Sequence, residues 1–309
     1  MSTVSDAARA AIDEFRRREQ RQPPRLPGAD DHDGWRELQA FVEDAMTPRI
    51  EAALAAHDVD VEPADIADMP ALRLRPRVAR PRRLPLVFLH GGGYTSYSAR
   101  SALPGTLALA TALQREVLVP DYTLAPASRV AQTVPAVSGA LRAIMAERGP
   151  FHLAGDSAGG GLAVAATLAM IRAGGPRPET VTVFSPWTDL AGNGDSHRDP
   201  DINDPLLRWD GMLDRCAAAY AGDDPSHPDA SPVNADFSGG FPDTLVICGS
   251  REILLSDSQR LHQRLRGAGQ RSQLQVFDGL YHAFPVVTPD IPEAAQTRQR
   301  MRNFIQHGA

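Results

Sequence analysis

Apolar positions along this 309-residue chain fall into three regimes, each predicting a different kind of element. Residues 5–19 set Ala, Ile and Phe among charges at helical spacing, and Pro23, Pro24 and Pro27 close that helix. A second helical stretch spans 33–56, where Trp35, Leu38, Phe41, Val42 and Ala45 are placed on one face. From Ala71 onward the pattern changes. Short continuous apolar runs at 84–89, 116–120, 151–154, 180–185 and 244–249 read as strands buried on both faces, and 273–277 alternates as a strand. Helical stretches at 101–114, 134–147, 160–170, 257–266 and 293–306 separate or follow them. This alternation predicts an α/β fold, a mostly parallel sheet with helices on both faces.

Residues 191–237 break the rhythm. They are rich in Asp, Pro and Gly around one helical stretch at 209–220, and an insertion above the strand ends is where a lid sits. The expected organisation is a helical segment over residues 1–70, read from the pattern as a packing element, and an α/β domain over 71–309 that carries this insertion. Asp195, Asp199, Asp201 and Asp204 in the lid read as solvated or helix-capping groups rather than metal ligands. The run Asp30-Asp31-His32-Asp33 reads as a loop that caps the next helix.

Composition narrows the class. The chain is 42% hydrophobic and 23% charged, enough to bury a full core. A net charge of -6 argues against nucleic acid or an anionic membrane as partner. All 32 basic residues are Arg, scattered rather than gathered in a stripe. Cys216 and Cys248 read as free thiols, and with no apolar leader-like run at the N-terminus a cytoplasmic location without membrane insertion is expected.

The chemistry concentrates at Gly155-Asp156-Ser157-Ala158-Gly159, between an apolar run and a small-residue helix. A strand that ends, turns through glycines and starts a helix pushes the serine hydroxyl out of the backbone surface, beside free N–H groups. A serine needs a base, and the base needs an anion to fix its tautomer. His282 follows a strand on an apolar-flanked loop, whereas His197, His227, His262 and His307 sit in polar, lid-like or helical settings and read as surface groups. For the acid, Glu252 stands three residues beyond its strand. Asp257, five further on, is the alternative, with an N-cap as its other reading. His90-Gly91-Gly92-Gly93 ends another buried strand, so backbone rather than side chain approaches something there. Gly91, Gly92 and Ala158 are the expected N–H donors to a developing oxyanion.

With these residues in hand, the chain resembles the hormone-sensitive-lipase-like family of α/β-hydrolase carboxylesterases. The resemblance rests on His90-Gly91-Gly92-Gly93-Tyr94, Asp121-Tyr122-Thr123-Leu124-Ala125-Pro126, Gly155-Asp156-Ser157-Ala158-Gly159-Gly160, Ser185-Pro186-Trp187-Thr188-Asp189-Leu190 and Tyr281-His282-Ala283-Phe284, in that order. It implies an α/β-hydrolase fold, a triad with Ser157 and His282, and an oxyanion hole from Gly91, Gly92 and Ala158. His90 and Asp156 then order their loops, the helical segment over 1–70 becomes a cap, and the α/β domain over 71–309 becomes the catalytic one. Two positions depart from the pattern: Glu252 replaces the usual Asp, and Ala127 replaces the usual Glu after Leu-Ala-Pro.

The expected activity is hydrolysis of short- to medium-chain carboxylic esters or lactones, with no cofactor and no metal. The same triad also serves acyl transfer, amide cleavage or elimination, and the fold also serves as a ligand-binding module. The resemblance leaves a homodimer open.

Overall fold

The computed structural model describes residues 4–19, 26–78 and 83–308; Pro23 and Pro24 lie outside the described residues. Two helices open the chain, α1 (Asp6–Glu19) and α2 (His32–Ala56). Asp31 caps α2, its carboxylate accepting the Gly34 N–H at 3.0 Å as the sequence implied. Phe41 is not on the packed face. It is 62% exposed, because six residues on from buried Trp35 lies about 120° round the helix, off the packed face.

The strands are β1 (Val59–Ile66), β2 (Met69–Pro76), β3 (Leu86–Leu89), β4 (Val117–Pro120), β5 (His152–Asp156), β6 (Thr180–Phe184), β7 (Asp243–Gly249) and β8 (Ser272–Phe277). They form one sheet in the order β1-β2-β4-β3-β5-β6-β7-β8. From β4 through β8 every pair is parallel, while β1 and β2 form an antiparallel hairpin on one edge. The expected boundary near residue 70 therefore shifts: the helical part ends at Ala56, and 59–76 belongs to the sheet. β1 escaped the sequence reading because it is an edge strand that alternates valines with acids and includes Pro63.

Between the parallel strands run α3 (Leu103–Leu113), α4 (Val130–Arg148), α5 (Ser157–Arg172) and α7 (Leu255–Gly267), with α6 (Asp214–Ala221) in the insertion. Short α8 (Phe284–Val287) and α9 (Pro292–His307) close the chain. β3, β4 and β6 are buried along their whole length, which explains their unbroken apolar runs. Two apolar clusters lie on the two faces. Leu86 and Phe88 point to one, Val87 and Leu89 to the other, as the two-residue period of a strand requires.

The sheet changes direction around β3, whose neighbours are β4 and β5. Open α/β sheets bind ligands outside the carboxyl ends of the strands at such a point. The register aligns Leu89 with Gly155 and Asp156 with Phe184, so the loops after β3, β5 and β6 emerge side by side.

Candidate active site

Ser157 begins α5 directly after β5 with φ +52°, left-handed backbone that a non-glycine residue holds only when its surroundings enforce it. Packing supplies the enforcement. A Cβ on Gly159 would collide with the carbonyl oxygens of Leu89 and His90, and Trp187 N–H clamps the Ser157 carbonyl at 2.9 Å. Small residues let α5 press onto the sheet, and thirteen of its sixteen residues are buried. The serine itself keeps 7% exposure at the corner.

The glycine loop after β3 runs alongside. Gly92 has φ +111° and Gly93 φ +63°, and a Cβ on Gly92 would strike the Ser96 carbonyl oxygen. His90 braces the loop: its Nδ1–H donates to Gly91 O at 2.8 Å, and its ring stacks on Tyr122 at 4.3 Å. The Tyr122 hydroxyl donates to the His90 carbonyl at 2.7 Å. Gly91 must be corrected as an oxyanion donor, because its N–H is already given to the Asp156 carboxylate at 2.9 Å. Burial pushes the Asp156 carboxyl up to about 7. The N–H groups of Gly92, Gly93 and Ala158 donate to no protein acceptor among the described residues.

Glu252 and His282 sit on loops after β7 and β8 that are laced together. Arg251 N–H donates to Leu280 O at 2.8 Å, and Gly279 N–H to the Ser250 hydroxyl at 2.7 Å. A Cβ on Gly249 would strike the Leu280 carbonyl, so only glycine lets the two loops come this close. Phe15 of α1 sets its ring edge-on to Tyr281 at 5.3 Å, bracing the residue next to His282.

Glu252 is wholly buried. Its Oε2 accepts the Ser185 hydroxyl at 2.7 Å and Gly249 N–H at 3.2 Å, while Oε1 is buried without a partner. His282 is 5% exposed and its Nδ1 is likewise buried without a partner. Burial drives the two groups in opposite senses: the Glu252 carboxyl is pushed well above its ordinary range, and the His282 imidazole is lowered to about 3.

Ser185 was quoted in the sequence only as part of a motif. Its hydroxyl also accepts Ala283 N–H at 2.9 Å, so one buried side chain ties the Glu252 carboxylate to the backbone that follows His282. The available signal was its position directly after a buried strand.

Asp257 is committed elsewhere. Its Oδ1 accepts the N–H groups of Thr188 and Asp189, both at 2.8 Å, and its Oδ2 pairs with His197 Nε2. It lies inside α7 and caps the turn after β6 rather than its own helix. His197 is accordingly no surface group: it is buried and stacked on Trp209 at 4.7 Å. Asp204 departs from the solvated reading too. It is buried, and its carboxylate accepts N–H groups from Leu206, Leu207 and Ile253.

The insertion closes over the glycine loop. Tyr220 stacks on Tyr94 at 3.8 Å, and Trp209 meets Trp187 edge-on at 6.4 Å. Beside Gly91 and Asp156 lies a cavity of about 90 Å³, lined also by Met46, Tyr97 and Val286. Both cysteines are free and buried, no His/Cys/Asp/Glu group among the described residues is arranged to hold a metal, and no described helix is long and apolar enough to cross a membrane.

An elbow serine at the switch point of a parallel sheet, beside a glycine loop with free amides, defines an α/β-hydrolase. Residues 86–286 match the family described as alpha/beta hydrolase fold. The chain is 35% identical to an acetyl-hydrolase of Streptomyces hygroscopicus over 279 residues, covering 88% of this chain and 92% of that protein. It is 30% identical to the hormone-sensitive lipase of Bos taurus over 66% of this chain and 28% of that protein. A solved esterase of the bacterial hormone-sensitive lipase family superposes with a TM-score of 0.83 at 29% identity over the whole of both chains. The chain belongs to the α/β-hydrolase family, among the hormone-sensitive-lipase-like carboxylesterases.

Proposed function

We propose that this enzyme hydrolyses short-chain carboxylic esters, acetyl esters among them, through an acyl-enzyme on Ser157. The observation that carries the reading is the strained Ser157 corner facing three unspent backbone N–H groups. The Ser157 hydroxyl attacks the ester carbonyl and passes its proton to His282 Nε2. His282 Nδ1–H and Glu252 Oε1 are each buried with no hydrogen-bond partner in the resting structure, and we assign to them the bond that would form as the imidazolium develops. Burial keeps the resting imidazole neutral and therefore able to accept a proton.

Negative charge on the carbonyl oxygen is met by N–H groups of Gly92, Gly93 and Ala158. Each such donor is typically worth ~10²–10³ in rate. The alcohol leaves with the proton from His282, and water repeats the cycle to free the acid.

The cavity beside Gly91 and Asp156 receives the acyl chain. An apolar cavity of ~150 Å³ accepts benzene. A volume of about 90 Å³ is smaller than that, which favours a short acyl group. The helical segment before β1 and the 191–237 insertion form the cap, and we place the enzyme in the cytoplasm.

The test combines a graded panel of 4-nitrophenyl esters with mass spectrometry after a serine-directed phosphonate. Turnover that peaks at or below butyrate, with a single adduct lost in Ser157→Ala, supports the reading. An adduct that survives the substitution refutes it.

A further inference from the structure

Helix α2 does more than cover the pocket. The Gln39 carboxamide Nε2 donates to the Thr95 carbonyl at 2.9 Å and lies 3.5 Å from the Ala125 carbonyl. Both carbonyls belong to the backbone that shapes the glycine loop. Thr95 N–H and Ser96 N–H close the turn by donating to Gly92 O at 3.1 and 3.0 Å. Ala125 N–H donates to Tyr94 O at 2.8 Å. One side chain from the N-terminal segment thus spans the two strips of backbone flanking Gly92 and Gly93.

A second observation, one helical turn on, points the same way. Glu43 Oε1 and His90 Nε2 are both buried without a partner; burial lowers the proton affinity of the His90 ring, and the Asp121 and Glu43 charges offset only part of that. Since His90 Nδ1–H is given to Gly91 O, a neutral ring leaves Nε2 an acceptor. Asp121 Oδ1, 3.8 Å from Nε2, is the other acid on this ring. Gln39 and Glu43 are four residues apart and share one face of α2.

We propose that Gln39 is a positioning residue for the oxyanion cradle, acting through the Thr95 and Ala125 carbonyls to aim the N–H groups of Gly92 and Gly93. The proposal rests on the esterase reading above. Donors to an oxyanion act only when held on target, and a misplacement of about 1 Å costs ~10²-fold. Losing one of the bonds that hold the loop should cost part of that.

Gln39→Met keeps the length and removes the donor, Gln39→Glu keeps the shape and removes the donor, and Gln39→Lys restores one. With 4-nitrophenyl acetate, the Met and Glu variants should lose about 10–100-fold in kcat with KM within about threefold of wild type. Affinity for n-butylboronic acid, which forms a tetrahedral adduct, should fall by the same factor as kcat/KM. The Lys variant should recover most of both. An unchanged kcat with a raised KM would overturn the proposal, since that is what a mere pocket wall does. So would equal losses in all three variants. If Gln39→Met does not fold, the Glu and Lys pair decides alone. Wild-type enzyme with no turnover of any ester would instead sink the underlying reading.

Discussion

Removing the Ser185 hydroxyl tests how the buried acid is held. Ser185→Ala keeps the backbone and deletes an oxygen that donates to Glu252 Oε2 at 2.7 Å and accepts Ala283 N–H at 2.9 Å, all three groups being buried. A hydrogen bond to an ionised carboxylate contributes ~1.5–3 kcal/mol, and an amide left dry and unpaired costs ~1–3 kcal/mol. The sum, about 3–6 kcal/mol, is a large share of the ~5–15 kcal/mol that stabilises a typical protein. With an unfolding entropy of about 2.1 cal/mol/K per residue, that corresponds to a fall in Tm of roughly 5–9 °C.

The same bond is the main influence holding the Glu252 carboxyl down against burial. Its loss raises that carboxyl further, so if Glu252 is the acid we propose, the acid limb of kcat/KM should move to higher pH. Thermal unfolding and a pH–rate profile on 4-nitrophenyl acetate read the two effects separately. A Tm within about 1 °C of wild type together with an unmoved acid limb would refute the reasoning.

Further substitutions separate neighbouring roles. Glu252→Gln should cut kcat by about 10³–10⁴ without loss of stability at pH 8. The native carboxyl binds its proton more tightly than an unfolded glutamate, so wild-type stability falls as pH rises above the unfolded value, and the amide escapes that loss. Comparable activity in the two proteins would overturn the acid assignment. Asp257→Asn should leave kcat within about tenfold yet lower Tm, because Asp257 supports the Thr188–Asp189 backbone and His197; a deeper loss of turnover than in Glu252→Gln would reverse the two roles. Gly92→Ala meets the Ser96 carbonyl in backbone at φ +111° and should yield insoluble or inactive protein. Soluble variant with normal kcat would remove Gly92 from the cradle.

What the sequence made legible is what short-range pattern determines. Unbroken apolar runs marked the buried strands, and the serine corner announces itself within five residues. Other features depend on partners far along the chain. Which glycine amides are free is decided by the Asp156 side chain on the neighbouring strand, so Gly91 looked as eligible as Gly92 until its N–H was traced. Ser185 acts on groups 67 and 98 residues away, and nothing local marks that. His197 stands among polar lid residues that conceal its pairing with Asp257, 60 positions on. Edge strand β1 failed the apolar test because one flank meets water.

The contact between Phe15 and Tyr281 has a practical side. The opening helix of this polypeptide looks dispensable on paper, an amphipathic stub far from the nucleophile in the linear text. It leans on the very tyrosine whose successor we propose as the base. Trimming that stub to tidy up recombinant material would therefore remove a buttress from the catalytic machinery, and bulky fusions placed there press on the same spot.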